Sequence, residues 1–316
     1  MVAAGPGYAE LHCISNFSFL RGASHPEELV RRAGALGYEA IALTDECSVA
    51  GVVRAHAEAR DRDIHLIIGS EFRLDDGLHL ILLAPDRAAY ARLSALIALG
   101  RAQAGKGHYH LERTDLQDGI PGCLALLAVG PQTPADDVAW LNRTFPGRAW
   151  LTLSACRDGA DAARIQHCLA LAHRHHLPAV ASGGIVMHRR GRRALHDTLT
   201  AIRYGQRISE LGQRLMANGE RHLRARHHIA RDYPAAMLAE SLRIAKQCRF
   251  SLDELRYEYP EELVPAGHSP ASWLRQCVEA GSRERWPQGV PATVREAIEH
   301  ELALIHDLAY EPFFLT

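Results

Sequence analysis

Seven short apolar runs, separated by stretches of helical period, decide what this chain can fold into. The runs are AELHCIS, EAIALTDE, IHLIIGSEF, LHLILLA, GCLALLAVG, AWLTLSA and PAVASGG. Between them lie amphipathic segments such as HPEELVRRAGALG, VAGVVRAHAEARD, AAYARLSALIALGRAQ, DDVAWLNRTF and DAARIQHCLALAHRHH. Strands alternating with helices read as βα units, which predicts an α/β fold of parallel strands, either a barrel or a doubly wound sheet. Ser24, three residues before Glu27 and followed by Pro26 in the first turn, predicts a capping box that opens the first helix.

Polar residues gather where the apolar runs end: Ser15; Thr44, Asp45 and Glu46; Ser70 and Glu71; Ser154; Ser182. In a parallel barrel those ends share one face, the face on which active sites are built. One such residue marks only the place where a strand stops. Several together mark a present or former site.

Beyond residue 255 the text changes. YEYPEELVPAGHSPASWL is rich in proline and small residues and reads as a linker, and ATVREAIEHELALIHDLA after it reads as a helix. The chain finishes on EPFFLT, too apolar for an exposed terminus, so a further domain is expected to begin there. The 316 residues suit one large domain, residues 1–255, and part of a second, residues 256–316.

Apolar residues make up 47% and charged residues 23%, values of a globular protein, and the net charge of -1 carries no global signature of a nucleic-acid binder. Cys13, Cys47, Cys123, Cys156, Cys168, Cys248 and Cys277 are odd in number, scattered and without a CxxC pair. Neither a disulfide framework nor a zinc finger is expected, and a reducing compartment suits them. No basic stretch followed by an apolar core opens the chain, and no apolar run reaches membrane-spanning length, so a cytoplasmic protein with no membrane partner is expected.

A hydrolytic metal centre needs imidazoles and carboxylates converging from several strands, with an open position for water. The candidates are His12, Asp45, Glu46, Glu71 and His79. Each has an ordinary alternative, since a carboxylate at a strand end serves the next helix N-terminus and a strand histidine packs in a core. No phosphate-binding P-loop, nucleophile elbow or Cys-His pair is present.

At these residues the sequence resembles a known family. AELHCISNFSFLRGAS, IALTDECSVAGV, LIIGSEF, LHLILLA and PAVASGGIVMHRRGRRALHDTLTAIR, in that order, are similar to the polymerase and histidinol phosphatase (PHP) domain at the N-terminus of bacterial C-family DNA polymerases. The similarity is nearest to the error-prone, ImuC-type branch. It implies a distorted (β/α)7 barrel with a metal cluster in its mouth, followed by the start of a polymerase palm, which LVPAGHSPASWL and EHELALIHDLAYEPFFLT resemble.

Carried over by position, the ligand set is broken. His12, Glu71 and His79 fall on family ligand positions, and Glu46 stands where the family has a histidine. Ile14, Arg21, Gly184 and Val186 stand where it has two histidines and two aspartates. Three of these have no lone pair to offer, and Arg21 brings a cation that does not deprotonate. Arg21 is expected to pair with Glu46 or Glu71 in place of metal charge, leaving room for one residual Zn or Mn ion at most. The expected function is a structural PHP domain of a polymerase for damage-induced mutagenesis, whose catalytic palm residues and Mg lie beyond Thr316. An active phosphoesterase or 3′-exonuclease, and a binding module for DNA or protein, are the alternatives.

Arg189, Arg190, Arg192 and Arg193 form the densest basic run, readable as a DNA or domain contact or as a solvated helix start. By resemblance the partners would be the rest of the polymerase chain, primer-template DNA, the sliding clamp and mutasome accessory proteins. The histidines at 173, 175, 176, 227 and 228 read as solvated faces.

Overall fold

Side chains on both faces of the strands are buried, as expected where helices cover a sheet closed on itself. The computed structural model describes residues 5–255 and 263–316, which divide into two compact units, Met1–Glu254 and Leu255–Thr316. In the first unit the order is β1 (Ala9–Glu10), α1 (Pro26–Ala35), β2 (Ala40–Leu43), α2 (Val52–Arg62), β3 (His65–Arg73), β4 (His79–Leu83) and α3 (Arg87–Ala102). There follow β5 (Leu124–Ala128), α4 (Ala135–Thr144), β6 (Ala149–Ser154), α5 (Asp161–His175), β7 (Ala179–Ser182), α6 (Arg193–Tyr204), α7 (Arg226–Asp232) and α8 (Ala235–Gln247).

The strands form one seven-stranded sheet in sequence order. Its ends approach each other past β1 and β7, where Cys13 bridges Ile185, the Ile14 N–H donates to Ile185 O and the Ile185 N–H donates to His12 O, both at 2.9 Å. The result is a nearly closed barrel. Alternate residues point inward: Ala9, Ala40, Ile67, Ile81, Leu124 and Val180 share one cluster with Ile244 and Ala245 of α8 and Cys248 just after it. Helix α8 lies along β7 and β1 and so covers the seam between them. The other face of each strand packs under the remaining helices.

The sheet departs from the all-parallel expectation at one strand. β4 runs antiparallel to both β3 and β5, with Arg73 opposite His79. Only Leu74 to Leu78 separates β3 from β4, too short for a crossover, and Gly77 at φ +91 turns the chain back. This reversal brings the first residue of β4, His79, to the mouth where the parallel strands end.

Two local expectations also need correction. Regular pairing in AELHCIS stops after Glu10, because the His12 N–H goes to Glu10 Oε1 and the Cys13 N–H to Thr44 Oγ1 instead of to a ladder partner. The N-cap of α1 is His25, with Glu28 accepting its backbone N–H at 3.0 Å, while Ser24 Oγ is used by His188, ring Nδ1 at 2.8 Å and backbone N–H at 2.9 Å.

The second unit holds α9 (Pro270–Arg285), α10 (Ala292–Asp307) and α11 (Glu311–Leu315). Part of the expected linker, residues 257–262, lies outside the described residues. Its end is helical: Ser269 caps α9 by accepting the Ser272 N–H at 3.2 Å, and Pro270 occupies the first turn. Arg275 pairs with Glu299 through two bonds of 2.8 and 2.9 Å, joining α9 to α10. Among the described residues no helix is long and apolar enough to cross a membrane.

Candidate functional site at the barrel mouth

Three of the candidate ligands meet. His12 Nε2 lies 2.5 Å from Glu71 Oε2 and His79 Nε2 lies 3.2 Å from the same oxygen, with the two rings edge to face at 5.3 Å. The potential ligand atoms of the three residues fall within 4.8 Å of one another. Burial works against an ionised Glu71, yet the hydrogen bonds to His12 and His79 and the Arg21 charge hold its carboxyl well below the usual range. Burial pushes the His79 imidazole down to about 4, so it is neutral at pH 7. A neutral ring facing an ionised carboxylate donates its proton, which assigns Nε2–H to His79, and the contact of His12 Nε2 with the same oxygen places a ring N–H there too.

The fourth candidate, Glu46, is turned elsewhere. Arg21 Nη1 contacts Glu46 Oε2 and lies 2.7 Å from Glu71 Oε1, the latter an ion pair without hydrogen-bond alignment. The other oxygen of Glu46 accepts from Tyr109 Oη at 3.1 Å, and Tyr109 Oη in turn accepts the Arg73 N–H at 2.8 Å. Burial disfavours the Arg21 charge, but Glu71 and Glu46 more than offset this and raise its affinity for the proton.

The turn that presents Arg21 is fixed from below by Asp45. Its carboxylate accepts the Ser15 N–H at 2.7 Å, Ser15 Oγ at 2.8 Å, the Ser18 N–H at 3.1 Å and Ser18 Oγ at 2.7 Å. With four donors of the turn on its two oxygens, this candidate ligand serves as a brace. Within the turn Leu20 takes φ +59, uncommon for a bulky residue, and Gly22 sits where a Cβ would come 1.9 Å from Ser15 O.

At the remaining family positions the space is filled. Ile14 and Val186 are both 2% exposed and share a cluster with Ala23 and Met187, flanked by Leu199 and Met216. Gly184 adopts φ +54, and a Cβ there would meet Ser154 Oγ at 2.4 Å and Arg221 Nη2 at 3.2 Å. Arg221 Nε donates to Gly184 O at 2.6 Å, holding the guanidinium over the glycine. Arg221, Tyr109 and Ser18 were not among the residues singled out in the sequence. Arg221 and Tyr109 lie outside the quoted motifs and Ser18 within one, but the roles of all three arise from partners distant along the chain.

This donor set does not fit a multi-ion hydrolytic centre. Oε2 of Glu71 is taken by two Nε2–H groups, Oε1 faces Arg21, and Ile14, Gly184 and Val186 offer no electrons. His12, Glu71 and His79 are the potential ligands that converge here, and an ion among them would have to displace both Nε2 protons and the Arg21 contact.

The basic run is mostly paired. Arg190 lies 3.5 Å from Glu220, Arg192 contacts Glu28, and Arg193 donates to Asp197 at 3.4 Å and to Met216 O at 3.0 Å. Of the four arginines, Arg189 is without a carboxylate partner among the described residues. The His227 and His228 rings meet edge to face at 4.1 Å on α7, and neither belongs to a group of potential metal ligands among the described residues.

A barrel of this strand order, with histidines and carboxylates converging in its mouth, is the architecture of a PHP domain. The PHP domain family model matches residues 10–174, and the chain belongs to that family. Among curated relatives, an error-prone DNA polymerase of Alkalilimnicola ehrlichii is 57% identical over 98% of this chain, and one of Methylococcus capsulatus is 56% identical over 98%. The chain spans 30% of the length of each of these relatives. Among solved structures, an amidohydrolase from Chromobacterium violaceum superposes on 57% of this chain and 88% of its own, with 19% identity and a TM-score of 0.46.

Proposed function

We propose that this chain is the PHP part of an error-prone DNA polymerase and that its barrel is a scaffold rather than a hydrolase. One observation carries the scaffold reading: Arg21 stands between Glu46 and Glu71, a fixed cation where a metal-dependent centre would need a divalent ion. Relatives of that name, 52–57% identical to the chain, support the polymerase assignment. The whole protein would extend primers on damaged templates, using Mg held by palm residues outside this chain.

The finer assignment is to the ImuC-type branch, acting in the cytoplasm with primer-template DNA, the sliding clamp and mutasome proteins. In this reading residues 1–255 form the PHP domain and 256–316 lead into the palm. The Met1–Glu254 and Leu255–Thr316 division supports that boundary. His12, Glu71 and His79 would take at most one Zn or Mn ion.

Metal counting tests the scaffold. Protein dialysed against Zn²⁺ or Mn²⁺, then against buffer, should retain one ion or none per chain by elemental analysis and should release no nucleotide from a 3′-labelled single strand. Two or more retained ions, or metal-dependent trimming of the 3′ end, would overturn it.

A further inference from the structure

Of the arginines at the start of α6 all but Arg189 are engaged by carboxylates, and three more without such a partner among the described residues lie towards its other end and beyond. From Ile202 to Glu210 every residue is exposed, including the apolar Ile202 at 59%, Tyr204 at 44% and Ile208 at 45%. The Tyr204 ring carries the Arg214 guanidinium 4.6 Å from its centroid and that of Arg203 at 5.6 Å. Arg214 Nη1 also donates to Gln206 Oε1 at 2.7 Å.

These contacts order two guanidinium groups without neutralising them. An aromatic face and an amide oxygen leave the cationic charge intact, whereas a carboxylate would cancel it. Glu210 is the one carboxylate between Ile202 and Arg214, and it accepts the backbone N–H of Arg207 at 3.1 Å instead of pairing with a guanidinium. Arg203, Arg207 and Arg214 therefore have no ion-pair partner among the described residues. Compensation of the helix C-terminus accounts for Arg203. It does not account for Arg207 and Arg214, which lie in the loop beyond α6.

We infer that the face from the end of α6 to Arg214 docks a DNA strand, with Arg203, Arg207 and Arg214 on successive phosphates and Ile202 and Ile208 against sugars and bases. Charge complementarity selects a polyanion: two free guanidinium groups share the Tyr204 ring, a third follows at Arg207 in the same exposed segment, and their planar forks match phosphate oxygens. The choice of DNA among polyanions rests on the polymerase reading above.

The test is fluorescence anisotropy of a labelled single-stranded oligonucleotide with the 316-residue chain over a salt series. Changing Arg203, Arg207 and Arg214 together to alanine should weaken binding roughly tenfold or more near 0.1 M salt. It should also flatten the logarithmic salt slope by about 2, since each single-strand phosphate contact is worth about 0.7. Tyr204→Leu, which removes the ring and no charge, should weaken binding severalfold with little change of slope. R189A/R190A should stay within about twofold of the parent. All these side chains are partly or fully exposed, and a circular dichroism melt checks that each variant folds. An unchanged affinity in the triple variant, no binding by the parent, or poly-glutamate bound as tightly as DNA at equal charge would each overturn the proposal. The metal count at the mouth is unaffected by any of these results, so the docking face and the scaffold reading fail separately.

Discussion

Arg21 Nη1 lies 2.7 Å from Oε1 of Glu71, a carboxylate only 1% exposed. Removing one partner of such a pair leaves the other charged and without compensation, which is the expensive case for buried ions. Arg21→Met should therefore lower the unfolding free energy by about 3 kcal/mol or more in a denaturant titration. A loss below about 1 kcal/mol, the level of exposed pairs, would show that water already solvates this one.

Asp45 fixes the turn that delivers Arg21, through four hydrogen bonds to Ser15 and Ser18. Asp45→Ala strands buried donors and should cost about 3 kcal/mol. Because the same turn serves both residues, Asp45→Ala and Arg21→Met should not add. A double-mutant cycle should give a coupling above about 0.5 kcal/mol, and strict additivity would separate the brace from the ion pair.

Restoring family ligands one at a time should not restore metal binding. Ile14→His places an imidazole in the apolar cluster with Ala23, Val186 and Met187, and Gly184→Asp places a Cβ against Ser154 Oγ at a positive φ. Each should cost about 2 kcal/mol or more, from an unpaired polar group in one case and from strain and overlap in the other. Melting curves with and without Zn²⁺ provide the measurement. A Zn²⁺-dependent rise in Tm for either single variant would show that the mouth retains more ligand geometry than its contacts suggest.

Stability should fall in mild acid. Burial lowers the affinity for protons of His65, His79, His188, His196 and His222, His79 to about 4. With folded values below the unfolded one, near 6.5, the unfolded chain binds more protons in this window. Stability is therefore complete above about pH 6.5 and is lost as pH falls toward 4. His79 alone accounts for about 2 kcal/mol between pH 7.5 and 5. Urea titrations of the metal-free protein at those two values provide the check, and equal midpoints would contradict it.

Much of the barrel was legible because burial on both faces leaves near-continuous apolar runs, and all seven became strands. The direction of β4 was carried only by the shortness of Leu74 to Leu78, a weaker signal than apolarity. That Ile14, Arg21, Gly184 and Val186 cannot donate to a metal was likewise legible, since residue type alone decides it. What surrounds them was not, because Ile14 meets Val186, Arg221 meets Gly184 and Tyr109 meets Glu46 only after the chain has closed on itself. The division of the arginines around α6 was hidden for the same reason. Glu28 and Glu220, which engage Arg192 and Arg190, are both remote from them in sequence.

The Arg21 contact also changes how the mouth is supplied with charge. A bound ion has a dissociation constant, an exchange rate and competitors, and its occupancy follows whatever the surroundings provide. A guanidinium on the chain has none of these. Every copy carries this cation from synthesis onward, in a ratio of one to one, whatever the metal economy around it.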